Sequence, residues 1–405
     1  MNPKFKRTLM TAACACLLTG AAGPLSAASV FSQCPGDNDA DSVPDSPNPD
    51  VVCMHLTGGD GFVTMADGKE LYMFGFADLT GTHDADVISD GTLAANFPAP
   101  NIVLEEGQEF YLTLTNVGML IRPDLFDPHT VHFHGFPNAS AIFDGLPDTT
   151  ISINMGASLS YYYNLRDPGT YMYHCHVEAT EHMQMGMLGN LYVKAGQNKS
   201  TPGTNLNGYI HQSGDTYAYN DGDGSTRYDV EAALQIGSFD GAFHDASETV
   251  QPLPFAEMWD NYPMLNGRGY PDTVELNPLP APAGNGGIQS QPVTSLVQAD
   301  VGDKVLLRIS NLNVTNFYSL TLLGMPMEVV GMGAKQLKSR ASNGKKSYYQ
   351  TNNITLGGGE AIDVLLDTSG VEPGTYFLYS SNLNFLSNDQ EDFGGMMTEI
   401  RISAP

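Results

Sequence analysis

His129-Thr130-Val131-His132-Phe133-His134-Gly135, followed about forty residues on by His174-Cys175-His176, then His182 and Met187, is the stretch from which the rest of the chain is read. Six of the ten histidines fall inside it. Gly169-Thr170-Tyr171-Met172-Tyr173 leads into the second motif as a Gly-bounded, β-rich run, so both motifs are read as extended. Side chains alternate between the faces of a strand, and parity therefore sorts them. His174 and His176 share one face and Cys175 takes the other; His132 and His134 share a face and His129 has the opposite parity. Two groups back to back are predicted, one of His129, Cys175, His182 and Met187, the other of His132, His134, His174 and His176. A lone strand histidine is ordinarily a buried, hydrogen-bonded residue. A clustered Cys and His set in matching parity reads as a metal site.

The first group offers two imidazoles, a thiolate and a thioether, the donors that suit a blue-copper electron-transfer site with a weak axial Met. The second is all imidazole and suits copper that meets a small oxidant. Cys175 is covalently adjacent to both His174 and His176, which gives an electron a short through-bond route between the groups. The motifs His-x-x-His-x-His-Gly and His-Cys-His…His…Met resemble those of the multicopper oxidases (laccases and cuprous oxidases). That resemblance implies tandem cupredoxin-like Greek-key β-barrels or sandwiches. It also implies type 1 copper at His129, Cys175, His182 and Met187, a type 2 ligand at His132 and type 3 ligands at His134, His174 and His176. One departure is visible: five residues separate His176 from His182, where laccases usually have three. It is read as a longer loop.

At 405 residues the chain has room for two or three domains. Lys4, Lys6 and Arg7 precede an apolar run from Leu9 to Gly23 and the small-residue site Ser26-Ala27-Ala28, so residues 1–28 read as a secretory signal peptide. A periplasmic or extracellular location is expected, and no later apolar run is long enough to span a bilayer. The formal charge is −27 and grows more negative without the leader, which disfavours nucleic acid and anionic membranes as partners. After cleavage three cysteines remain. With Cys175 a ligand, Cys34 and Cys53 are left to pair as a disulfide in an oxidising compartment.

Residues 29–56 therefore read as an acidic, disulfide-closed loop. Asp37, Asp39, Asp41 and Asp45 occupy the spacing by which oxygen ligands are presented to Ca²⁺, and the loop resembles the calcium loops of thrombospondin type 3 repeats, with Ser42 where Gly usually follows the third acid. From residue 57 to 197 short alternating segments broken by Gly, Pro, Asn and Asp predict an all-β copper-binding domain. The run Ile102 to Asn116 reads as two strands around a turn, and no convincing amphipathic helix appears. Residues 198–227, rich in Gly, Asn, Asp, Ser and Thr, read as a linker, and 228–405 as a second domain of the same form.

That second domain repeats the first. Val301 to Asn311 echoes the strand from Gly107 to Asn116, and Gly374 to Ser381 echoes Gly169 to His176. In this alignment His174, Cys175 and His176 fall opposite Tyr379, Ser380 and Ser381, while His129, His132 and His134 fall opposite Tyr318, Thr321 and Leu323. Every ligand position is replaced, so copper ligands are expected in the first domain only. The family's trinuclear site takes eight histidines, of which four are matched here. The leftover His55, His83, His211 and His244 are singletons in loop-like sequence and are expected to be solvated. A second copy of the chain in a homo-oligomer, another protein, or a smaller copper site would complete the set. The expected function is a copper oxidoreductase that takes single electrons from a metal ion, a phenol or a redox protein and reduces O₂ to water. Glu178, Glu181, Met183 and Met185 beside His182 are a hint of a metal-ion donor, against the plainer reading of a solvated loop with apolar Met contacts, and phenols or a redox protein stay open. The alternatives are a non-enzymatic electron-transfer or copper-binding protein and a nitrite reductase-like enzyme.

Overall fold

The computed structural model describes residues 33–136, 139–249, 252–339 and 344–404; the predicted leader lies outside them. The alternating segments of the first half form β1 (Val51–Thr64), β2 (Glu70–Asp78), β3 (Ala99–Glu105), β4 (Glu109–Gly118), β5 (His132–His134), β6 (Ser158–Asn164), β7 (Gly169–His174) and β8 (Leu188–Lys194). They pair as two four-stranded sheets, β2-β1-β4-β6 and β3-β8-β7-β5. The predicted turn between β3 and β4 is present, with Gly107 at φ +95° where a side chain would be strained. It is a crossover rather than a hairpin, because β3 pairs with β8 while β4 pairs with β1 and β6. The two sheets close over Leu56, Phe74, Phe110, Leu112, Leu114, Phe133 and Tyr173. Among the described residues α-helix is confined to short pieces, α1 (Val87–Asp90), α2 (Ala179–Gln184) and α3 (Gly241–Ser247).

The second half builds β9 (Val230–Phe239), β10 (Tyr262–Leu265), β11 (Val297–Asp300), β12 (Lys304–Asn311), β13 (Tyr318–Leu322), β14 (Met327–Met332), β15 (Asn353–Leu356), β16 (Glu360–Asp367), β17 (Gly374–Ser380) and β18 (Met397–Ser403). Its sheets run β10-β9-β12-β16-β14, extended by the short strands Lys335–Gln336 and Tyr349–Thr351, and β11-β18-β17-β13-β15. The repeat is therefore one of topology as well as of sequence. β9 lies parallel to β12 as β1 lies parallel to β4, and β11 parallel to β18 as β3 to β8. Thr321 pairs with Tyr379 as His132 pairs with His174, the same correspondence the sequence alignment predicts. Both halves are cupredoxin-like β domains.

What joins them is β7, which is buried along its whole length. Tyr171 and Tyr173 enter the first domain's core. Met172 packs in a mixed cluster with Phe97 and Leu188 from the first half and Phe239, Met264, Leu312 and Ala361 from the second. Thr170 enters a polar network: Arg308 on β12 donates to Thr170 Oγ1 at 3.1 Å and to Glu231 at 2.7 Å, while Asp363 on β16 accepts from Thr170 and from Tyr219. The Arg308 guanidinium also lies over the Tyr192 ring at 5.0 Å.

Two boundaries differ from the sequence reading. β1 begins at Val51, so the segment assigned to the acidic loop already contains a core strand and Cys53 lies on it. The segment read as a linker is structured: Asn205–Leu206 pairs with Tyr209–Ile210 and Thr216–Tyr217 with Arg227–Tyr228. Its Tyr217, Ala218 and Tyr219 are buried, the last against Asp363. Polar composition marks this segment's turns and hides the anchors between them.

Arg308 is fully buried and is the counter-charge for Glu231 and Asp363. Arg308→Ala is expected to cost about 3–5 kcal/mol, the price of leaving buried carboxylates unpaired. The check is a lower urea midpoint at unchanged m-value; an unchanged midpoint would show that the network carries no stability.

Candidate metal centre

Parity does what the sequence predicts. Val131, Phe133, Tyr173 and Cys175 face the first domain's core, whereas His132, His134 and His174 line cavities between the halves.

On the core side, His129, Cys175 and His182 are fully buried, and their donor atoms lie within 4.8 Å of one another. His182 Nδ1 is 3.2 Å from Cys175 Sγ and His129 Nδ1 is 3.9 Å from it. Met187 is held nearby by backbone geometry: its N–H donates to His182 O at 2.8 Å and its carbonyl accepts from the Cys175 N–H at 3.1 Å. Its methyl and the His129 ring converge on Gly58, where an added Cβ would lie 2.9 Å from His129 Cδ2 and 3.3 Å from Met187 Cε. Burial alone would raise the Cys175 thiol, but His182 and His129 outweigh it and bring it down to about 5. Burial would likewise lower His182, yet the Cys175 sulfur and Asp127 push it up to about 10. Each of the two thus favours the charged form of the other, and a cation entering would take the place of the proton they share. His129 Nε2 has no partner, and His182 Nε2 faces Asp127 Oδ2 at 3.9 Å.

On the interdomain side the ring nitrogens are used the other way round. His132 Nδ1 lies 2.5 Å from Asp144 O, His134 Nδ1 3.3 Å from Gly359 O and His174 Nδ1 2.7 Å from Cys175 O. Nδ1–H donation to carbonyls leaves each Nε2 a lone pair, the orientation metal-binding histidines take. His134 Nε2 and His174 Nε2 then face each other at 2.9 Å, which two lone pairs tolerate only around a shared proton or cation. Burial keeps His174 neutral, down to about 3, and lowers His134 as well. His176 joins the group edge-on, its ring centroid 5.0 Å from that of His132. These donors fit copper in both places, soft and mixed at Cys175, all imidazole at His174.

The opposing wall belongs to the second half. Asn313, Thr315, Asn316, Phe317 and Gly359 line a cavity of about 480 Å³ with His134, His174 and His176. Gly359 approaches so closely that a Cβ there would lie 2.9 Å from His134 Cε1. That wall contributes no histidine among the described residues.

Several expectations are corrected. His55, His211 and His244 are buried rather than solvated: His55 meets Ser42 Oγ at 3.1 Å and the remote Thr115 Oγ1 at 2.7 Å, and His211 meets Tyr217 OH, six residues on, at 2.8 Å. His83 is exposed as expected. Glu181 and Met185 are buried, so neither offers a surface to a metal-ion donor. Cys34 and Cys53 are joined. Asp37, Asp39 and Asp41 converge within 4.8 Å, and Asp41, burial and Asp45 raise the Asp39 carboxyl. Asp45 is not among the converging three, and its carboxylate accepts from the Asn38 N–H at 2.9 Å. Ser42 takes the glycine-like φ of +65° and is held there by His55. Sequence reasoning missed Gly58, Asp127 and His244; only Asp127, two residues before His129, carries a positional hint.

Gly58→Ala is expected to displace His129 or Met187, shifting the visible absorption and electron paramagnetic resonance of the copper-loaded protein while leaving the His-only group untouched. Wild-type spectra in that variant would show that Gly58 does not set the distance between them.

Residues 84–198 and 243–400 each match a family model described as multicopper oxidase. Among curated proteins the chain is similar to multicopper oxidase MmcO of Mycobacterium tuberculosis, 33% identical over 91 residues, 22% of this chain and 16% of that protein. It is also similar to multicopper oxidase elcG of Phaeosphaeria nodorum, 29% identical over 130 residues, 32% of this chain and 19% of that one. The matched segments thus span less than a fifth of either relative. In fold it is similar to a blue copper oxidase from Nitrosomonas europaea, with TM-score 0.60 and 19% identity over 86% of this chain and 85% of that one.

Proposed function

This chain belongs to the multicopper oxidase family, and from that premise we propose that it is an oxidoreductase that takes single electrons from a reductant and reduces O₂ to water. The observation that carries the reading is the division of β7 and its continuation, with Cys175 in one donor group and His174 in the other. Type 1 copper fits His129, Cys175, His182 and Met187, and type 2 and type 3 copper fits His132, His134, His174 and His176. Bound copper would supply the one-electron redox chemistry at both places. The protein's part is to fix the ligands, exclude water from Cys175 and join the groups through the Cys175 backbone.

His182 is wholly buried, so a donor meets Asp127 and the neighbouring Phe126, whose side chain is 71% exposed, rather than the ligand ring itself. This supports outer-sphere transfer from a phenol or a redox protein. On the acceptor side the wall opposite the histidines offers amides, a threonine and glycine, and Phe317 at its edge is 73% exposed. We assign the missing half of that site to a second copy of the chain. The Cys34–Cys53 disulfide supports a periplasmic or extracellular location, and no helix among the described residues is long and apolar enough to cross a membrane.

His132→Ala is expected to keep the blue colour and abolish O₂ uptake. Loss of the colour as well would sink the separation into two sites. Copper counting on the wild type distinguishes the rivals: one copper per chain without O₂ uptake favours an electron carrier, and bleaching or reoxidation driven by nitrite favours a nitrite reductase. Light scattering that shows only a monomer with full activity removes the second copy.

For the amino-terminal loop we propose a structural Ca²⁺ at Asp37, Asp39 and Asp41. Ca²⁺ at about 100 times its Kd should then add about 2.7 kcal/mol of stability. A melting temperature indifferent to chelator, or unchanged by Asp39→Asn, would count against it.

A further inference from the structure

The two halves differ most in one connection. Between β1 and β2 the chain turns within residues 65–69, whereas between the corresponding β9 and β10 it spends residues 240–261. This strap crosses onto the first domain. Its Phe243 and Leu253 join the core that holds Cys175, Met185 and Met187. Asp245 pairs with Lys69 at 2.7 Å, and Ser247 O accepts from Arg122. At its centre α3 carries His244, fully buried against Phe239 at a ring separation of 4.3 Å.

Both nitrogens of His244 end at carbonyls of the first domain, Nδ1 2.6 Å from Tyr72 O on β2 and Nε2 3.0 Å from Gln184 O. Gln184 is the last residue of α2. That helical turn holds the excess length between His176 and His182, and its exit runs through Gly186, at φ +117°, into Met187. Two insertions therefore meet at one imidazole, one relative to the laccase spacing and one relative to the chain's own first half.

We propose that His244 is a positioning residue for the metal-ligand loop: by holding the Gln184 carbonyl it fixes α2, and with it the disposition of His182 and Met187. The copper-free domain is then a brace for the copper site of the other. The inference rests on reading His129, Cys175, His182 and Met187 as that site. Burial outweighs the pull of the two carbonyls and of Asp240 and Asp245 and brings His244 down to about 4. A neutral ring has a single N–H; carried on Nε2 it is donated to the Gln184 carbonyl 3.0 Å away, and that tautomer is the one the brace requires.

The test compares His244→Phe, which keeps a ring and removes the donors, with His244→Gln, which keeps a donor. In metal-free protein, amide exchange at residues 183–187 should rise about fivefold in His244→Phe, the effect of one net hydrogen bond. In copper-loaded protein the blue absorption maximum and the copper hyperfine splitting should shift, and His244→Gln should bring all three readouts back toward wild type. If His244→Phe lowers the melting temperature while exchange and spectra stay as in wild type, His244 is a packing residue only and the proposal fails. Should that variant not fold, His244→Asn, too short to reach the Gln184 carbonyl, takes its place, and unchanged exchange and spectra there overturn the proposal equally. A wild-type protein that takes up copper without blue absorption would instead refute the type 1 reading. The exchange measurement, made without metal, still decides the brace.

Discussion

A strand whose two faces are both buried cannot shift one set of side chains without shifting the other, and β7 is such a strand. Its odd residues are locked into the first domain's aromatic core and its even residues into contacts with the second domain. A one-residue slip would exchange the faces wholesale. Cys175 and His174 inherit that constraint as its continuation. The thiolate is presented to His129 and His182 in a dry pocket, and the imidazole is presented to the interdomain cavity, because the strand has no third option.

The second half sustains this from outside. Arg308, Asp363 and Thr170 tie β12 and β16 to β7 through charge-assisted hydrogen bonds. Gly359 brings a carbonyl to His134, and His244 brings an imidazole to α2. One of these contacts touches a donor residue, His134, directly, and the others hold the strand that leads into His174 and the helical turn that carries His182.

Much of this is written locally in the sequence. The alternation around Cys175, the residual pair Cys34 and Cys53, and the echo of Gly169–His176 in Gly374–Ser381 all follow from spacing and period, which act over a few residues. What escapes is set by residues far apart along the chain. His55 and His244 look like loop histidines because the groups that bury them, such as Thr115 and Tyr72, lie elsewhere in sequence. Residues 198–227 look like a linker because turn-forming residues outnumber their tyrosine anchors. Gly58 looks like any strand glycine, and only its neighbours His129 and Met187 reveal why a side chain is excluded. Asp45 fits the calcium spacing, but the acids that converge are Asp37, Asp39 and Asp41, and one Asp45 oxygen accepts from Asn38.

The retained pairing of Thr321 with Tyr379 has a further meaning. Where the first half sets His132 opposite His174, the second sets a hydroxyl and a phenol, and its barrel closes on the same register. One molecule thereby contains both a liganded design and its own blank, and the blank folds. The register of this architecture is thus kept without imidazoles at those positions, and an apolar interior fills both halves.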